Sequence, residues 1–304
     1  MLEVAIIALR WLQYVGAAVL LGAPLFLLYS VKGAQGLTLG WSRSLLIVVT
    51  AVVALGALAA LVVQTAVMAG SLSEALKPST LRFMVNGTTL GMAMAVRAII
   101  ALIAFVAVAA LKAGRLSWGV SVAAGLVIAA SFAWTGHGAA TEGPGAPYHL
   151  TADIIHTVAA ALWLGALAVL TVLLVRRTRS DDLAIHGALH GFSGLGTLAV
   201  ALLVLTGLVN SWFLVGPAHV ADLGASLYGR LLIVKLVLFV LMLAMAAANR
   251  FRLTPMLGSV LASGEDPRRA VSILRRSVIV ETLVGAVLLA VVAVMGTLAP
   301  PSAM

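Results

Sequence analysis

His137, His149 and His156 fall close together in the chain, with Asp153 and Trp163 beside them. From His149 the spacing runs i, i+4, i+7 and i+14 through Asp153, His156 and Trp163, so a helix that begins early enough carries all four on one face. An imidazole binds a metal through one ring nitrogen, and a carboxylate in register can accept the other ring N–H and hold the ring in place. Asp153 is spaced to do this for His156, and a connection of about a dozen residues can fold His137 back toward them. Singly, each histidine reads as a cap at a helix end; together, with an acid in register, they point to a metal site. The chain has no cysteine, which excludes disulfides, thiolate metal sites and cysteine nucleophiles. A soft metal would have to be held by histidine and methionine. Met68, Met84, Met92 and Met94 fall at a similar predicted depth; such residues fill cores by default, and their shared depth with the histidines makes them candidate soft ligands for copper.

Ionisable residues inside apolar segments form a second set. Arg10, Arg97 and Lys235 interrupt long apolar runs, and Glu281 stands near the start of the last one. Charge in hydrocarbon is costly, so each needs a partner, a route to the interface or a polar cavity. Arg10, Lys235 and Glu281 lie near enough to predicted ends to snorkel. Arg97 lies deeper and fits better with a polar cavity lined by several helices. Asp182, His186 and His190 follow i, i+4, i+8 spacing, which suits a metal and suits still better the polar face of an amphipathic connector.

These residues are carried by apolar segments. Of 304 residues, 62% are hydrophobic and 10% charged, far from the charged surface a soluble domain of this length needs. A bilayer helix takes ~20 apolar residues. The pattern predicts an all-α integral membrane protein, one polytopic domain of about eight spans, near residues 6–29, 45–69, 89–111, 118–135, 152–175, 192–215, 229–248 and 278–299. The apolar runs are continuous rather than alternating, which argues against a β-barrel. Arg10 and Glu3 spoil a signal-peptide pattern at the start, so the first helix is expected to be retained. Asn86-Gly87-Thr88 matches a glycosylation sequon but abuts a span and is discounted.

Basic residues alternate between loops. The first loop carries Lys32 and Arg43, the third Lys112 and Arg115, and the fifth Arg176, Arg177 and Arg179. The seventh carries Arg250, Arg252, Arg268, Arg269, Arg275 and Arg276, whereas the even loops hold Lys77, Arg82 and Arg230. The positive-inside rule then makes the odd loops cytoplasmic and both termini extracytoplasmic. The same rule accounts for the net charge of +9 without a nucleic-acid partner; the lipid bilayer is the expected surrounding. There is no nucleotide-binding loop, nucleophile elbow or paired-carboxylate site, so a conventional enzyme is not expected.

Blocks of the chain resemble the copper resistance protein D (CopD) family of bacterial inner membranes. Gly136 to Leu167 (GHGAATEGPGAPYHLTADIIHTVAAALWLGAL) looks like the family's Gly-His motif followed by His and Trp-Leu-Gly in the next helix. FSGLGTLAVALLVLTGLVNSW from Phe192, YGRLLIVKLVLFVLMLAMAAANRFRLTP from Tyr228 and RSVIVETLVGAVLLAVVAVMGTLAPP from Arg276 follow in family order, and RWLQYVGAAVLLGAPLF from Arg10 is also similar. The resemblance implies copper uptake or resistance in the inner (plasma) membrane, with periplasmic termini, and a periplasmic copper-binding partner of the CopC type. On the matching positions it singles out His137 and His156, accompanied by Trp163, Arg10, Arg97, Tyr228, Lys235 and Glu281. His149, His186 and His190 do not clearly match the pattern.

Two functional readings follow. In the first, copper is received at the periplasmic face by His137 and His156, with His149 or nearby methionines completing the site. Its weak point is the inner half, which offers little beyond Asn249 and Glu281 and no continuous cation path. In the second, a membrane redox protein, His137 and His156 are axial ligands of a b-type haem, and the three buried cations pair with propionates or a quinone headgroup.

Overall fold

The computed structural model describes residues 2–30, 40–177 and 181–303. Lys32 and Arg179, named above among the odd-loop charges, lie outside the described residues. Eleven α-helices are found among the described residues: α1 (Leu2–Ser30), α2 (Gly40–Ala69), α3 (Leu72–Ala75), α4 (Pro78–Gly87), α5 (Thr89–Ala110), α6 (Arg115–Ser131), α7 (Ala146–Arg176), α8 (Asp182–Leu214), α9 (Leu227–Ala248), α10 (Thr254–Ser263) and α11 (Arg268–Met295). Eight of the helical segments among the described residues are long and apolar enough to cross a membrane, α9 counting together with the π-turn and α10 that continue it. This is an all-α multi-pass membrane protein, and large apolar side chains such as Leu55, Val106, Leu208, Val237 and Val287 stand exposed on the bundle's outside, where lipid would cover them.

The predicted spans match in number, while several helix ends lie elsewhere. α7 begins at Ala146, so His149 sits in its first turn rather than in a loop. α8 begins at Asp182, so Asp182, His186 and His190 lie on the first turns of a spanning helix rather than on a separate connector. α11 starts ten residues before the predicted span. The reason is common to all three. Hydropathy reports the part of a helix that lies in lipid, whereas helical hydrogen bonding continues into polar sequence. Thr88 of the discounted sequon caps α5, its hydroxyl accepting from the Gly91 N–H at 2.9 Å.

α1 is the central helix, packed against α2, α6, α7, α8 and α11. Its crossing with α7 is close because both helices place glycine at the contact. A Cβ on Gly22 would stand 2.6 Å from the Leu162 carbonyl oxygen, and one on Gly165 would overlap the Ala18 carbonyl. In lipid such close approach supplies the dispersion contact that replaces a hydrophobic driving force. Leu20, Val53, Ala101, Val108 and Ile128 fill the α1–α2–α5–α6 side, and Phe26, Leu174, Ile185, Leu257 and Leu274 fill the opposite side at one end.

The bundle has two chemically different ends. Arg43 at the start of α2 donates to the Ala109 carbonyl at the end of α5 (2.6 Å), so the basic residues of alternate loops gather at one arginine-rich end. At the other end Arg10 of α1 donates to the carbonyls of Thr135, after α6, and Gly296, after α11. That end carries His137, His149 and His156.

Candidate functional site

The backbone between α6 and α7 makes two short 3-10 turns, Phe132–Thr135 and Gly138–Ala140, with His137 between them. Glycine is required next to this histidine, since a Cβ on Gly138 would lie 2.7 Å from Asp153 Oδ2. The Gly-His-Gly segment therefore folds directly over the Asp153 carboxyl group. His137 Nε2 lies 2.8 Å from the Leu298 carbonyl oxygen. A carbonyl only accepts, so Nε2 carries the proton and Nδ1 keeps its lone pair. Burial lowers the His137 pKa from its ordinary value; the Leu298 bond opposes this and the nearby Arg10 charge reinforces it, so the neutral ring is favoured.

The other two histidines are held in the same manner on α7. His156 Nδ1 lies 2.9 Å from Thr206 Oγ1 of α8. Thr206 gives its own hydroxyl proton to the Leu202 carbonyl at 2.6 Å, so it accepts from His156, and the Leu203 carbonyl is a further partner of the ring. His149 is fully buried, stacks on Phe213 with centroids 4.8 Å apart, and meets Thr141 Oγ1 through Nδ1 at 2.6 Å. Its Nε2 has no partner. Each imidazole thus has a ring nitrogen engaged by the protein, the arrangement that orients metal-binding histidines.

All three line one cavity of about 180 Å³, together with Asp153, Asn210, Tyr228, Lys235 and Met295. Asn210 Nδ2 donates to Asp153 Oδ1 at 3.4 Å, and the Tyr228 ring meets the His137 ring edge-on at 5.8 Å. Asp153 and Lys235 are opposite charges acting on each other across this space, without closing to an ion pair among the described residues. No group of three or more His, Asp or Glu side chains among the described residues is close enough to hold one metal ion. The cavity collects the ligand types without assembling them into a finished coordination shell. Its volume is below the ~300 Å³ of the smallest ordinary small-molecule pockets, a size that suits a metal ion better than a large cofactor.

Several expectations are corrected here. Asp153 does not accept from His156; Thr206 takes that place, and Asp153 faces the Gly136–Gly138 turn and Asn210. Trp163 does not line the cavity but is a core residue, edge-on to Phe239 at 6.0 Å. Met68 and Met92 are exposed on the outside of the bundle. Met84 is buried under Thr88, whose hydroxyl approaches its sulfur at 3.6 Å. Met94 borders a small void beside Arg10, Gln13 and Arg97. The methionine lining the histidine cavity is Met295.

The two arginines support this site from behind. Arg97 is buried at 2% exposure with no acidic partner among the described residues. Its guanidinium donates to Gln13 Oε1 (2.8 Å), Ser131 Oγ (2.9 Å) and Thr135 Oγ1 (3.2 Å) and lies 4.0 Å over the Phe132 ring. Such a set of neutral acceptors and a π face holds a buried cation. Arg10 and Arg97 both bind Thr135, two residues before His137, and neither snorkels. Glu281 is also not a snorkelling residue; it is buried and accepts from Asn249 Nδ2 at 2.7 Å, away from the cavity. Sequence reasoning missed Gln13, Thr135, Thr141, Thr206, Asn210 and Met295. For Gln13, Thr206 and Asn210 the available signal was a neutral polar residue within an apolar run; Thr141 and Met295 carried none.

Comparison with known proteins agrees with this architecture. Residues 1–147 match the model for the copper resistance protein D-like N-terminal domain, and residues 186–295 match the copper resistance protein D model. The chain is 36% identical to copper resistance protein D of Pseudomonas syringae pv. tomato, over 97% of this chain and 96% of that protein. It is 28% identical to the copper transport protein CutJ of Bacillus subtilis, over 79% of this chain and 45% of that one. It is 31% identical to the inner membrane protein YebZ of Escherichia coli, over 55% of each. No solved structure matches the chain. With its eight apolar helices and a match along nearly its whole length, the chain belongs to the copper resistance protein D family.

Proposed function

We propose that the protein binds copper at the histidine end of the bundle and takes it up across the bacterial inner membrane. The observation that carries this reading is the set of His137, His149 and His156, each with a ring nitrogen held by the protein, around one cavity. Copper is the cargo. His137 Nδ1 and His156 Nε2 are its first ligands, with His149, Asp153 or Met295 joining as the side chains close on the ion. Imidazole and thioether suit copper better than the hard divalent cations, which take oxygen ligands. Names among the relatives, copper resistance protein D and copper transport protein CutJ, support the same cargo.

The arginine-rich end is cytoplasmic by the positive-inside rule, so the histidine end and both termini are periplasmic. A periplasmic copper carrier of the CopC type is the expected donor. The site's electrostatics favour release as well as capture. Lys235 faces the cavity, and Arg10 and Arg97 stand behind it, against the single carboxylate of Asp153. Fixed positive charge beside neutral imidazoles keeps binding shallow, and a transport site must let its ion leave.

The test is copper binding by purified protein in detergent, followed by competition with a chelator. Wild-type protein should bind copper, and His137→Ala and His156→Ala should each weaken it by about 10-fold or more, the scale of losses at metal sites. Wild-type affinity in both variants would refute the site.

A further inference from the structure

Glu281 on α11 is 1% exposed and does not line the histidine cavity. Its single hydrogen bond comes from Asn249 Nδ2 at 2.7 Å. Glu281 Oε1 and Asn249 Oδ1 are both buried without a partner. The two orphan atoms are acceptors on the same pair of groups, and an acceptor pair of this kind in a membrane span is costly until a cation meets it. No ion pair among the described residues supplies one. Arg250, the residue after Asn249, is turned to α8, where it donates to Ser193 O at 3.2 Å and to Thr197 Oγ1. Asn249 also begins the π-turn Asn249–Leu253, a type of helix irregularity concentrated at functional sites.

The same face of α11 leads back to the histidines. One turn from Glu281 stands Gly285, where a Cβ would lie 2.5 Å from Leu164 Cδ2 and 3.7 Å from Met242 Sδ. Leu164 and Leu288 both line the histidine cavity. Leu164 therefore borders the cavity on one side and the Gly285–Met242 contact on the other. From Leu288 to Glu281 is seven residues of helix, about 10 Å.

We propose that the Met242 thioether and the unpartnered oxygens of Glu281 and Asn249 form a second cation station, which receives copper from the histidine cavity past Leu164. The proposal rests on the copper reading given above. Electrostatics set the direction. The histidine cavity stands among Arg10, Arg97 and Lys235, whereas Glu281 and Asn249 offer oxygen acceptors with no ion-pair partner among the described residues, so a cation passing Leu164 leaves fixed positive charge behind it. Gly285 lets the Leu164 side chain pack directly against α11, so movement of that one flexible side chain opens the way. No electron transfer is required; the ion exchanges imidazole for thioether and then oxygen ligands.

The test uses full-length protein in proteoliposomes, with radioactive copper added on the histidine side, comparing wild type with Glu281→Gln and Met242→Leu. Glu281→Gln keeps shape and removes the charge, and Met242→Leu removes the sulfur at similar volume. Each variant should lower the uptake rate by about 10-fold or more, as loss of a metal-site group does, while chelator competition shows copper affinity at the histidine cavity unchanged. Wild-type uptake rates in both variants would overturn the station and leave the copper reading intact. A wild-type chain that neither binds nor moves copper would overturn the copper reading and the station together.

Discussion

Replacing Thr206 by valine removes one hydroxyl at nearly constant volume and leaves every histidine in place. In the native protein that hydroxyl donates to the Leu202 carbonyl at 2.6 Å and accepts from His156 Nδ1 at 2.9 Å. The Leu202 carbonyl keeps its own helical bond, but His156 loses its side-chain acceptor and is left with the Leu203 carbonyl as its partner on α8. Leaving a buried donor unsatisfied costs about 1–3 kcal/mol. The ring can recover some of this by moving the proton to Nε2 or by turning, and either change withdraws the Nε2 lone pair from the cavity. Partners of this kind are worth about 10- to 100-fold in metal affinity, or about 1.4–2.7 kcal/mol, which agrees with the cost of the orphaned donor. Chelator competition on purified protein should therefore show Thr206→Val weakened by that factor and Thr206→Ser close to wild type. Thr206→Val with wild-type affinity would refute the claim that His156 is oriented for metal, because the hydroxyl would then serve only the helix.

Arg10→Ala should lower thermal stability by about 1.5–3 kcal/mol for each charge-assisted bond lost at Thr135 and Gly296, and should weaken copper binding through the displaced His137 turn; melting and chelator competition check both. His137 is held neutral, so its folded pKa lies below its unfolded value and the unfolded chain binds more protons between the two. Its contribution to stability is therefore full above the ordinary imidazole value of ~6.5 and is lost as pH falls through it toward the depressed value; His137→Gln should flatten the stability–pH curve in that window, as followed by thermal melts from neutral to acid pH. Gly165→Val should prevent correct packing of α1 on α7, seen as loss of monodisperse protein on size exclusion, because the added Cβ overlaps the Ala18 carbonyl.

The spans were legible because a bilayer demands a length of apolar sequence that nothing else in the chain resembles. Helix ends were less so: α8 begins at Asp182 and α11 at Arg268, in polar sequence that hydropathy reads as loop. Facing was not legible. α7 is apolar nearly all round and has no moment to show which side meets its neighbours, so Trp163 read as a site residue and proved to be core. Arg10, Arg97, Lys235 and Glu281 stood out because charge in lipid is expensive. Thr206 and Asn210 did not, because a single hydroxyl or amide within a span can satisfy itself locally, and Thr141 lies in a polar connection where a hydroxyl is ordinary. Their partners are on other helices or beyond the next turn, and only tertiary structure brings Thr206 to His156 or Asn249 to Glu281.

The central claim is tested most directly by X-ray absorption and visible spectroscopy on purified, copper-loaded protein. The account predicts a copper centre with imidazole scattering that disappears in the His137→Ala/His156→Ala double variant, on protein without a Soret band. A Soret band lost on His156→Ala, or a copper spectrum indifferent to both histidines, would contradict it.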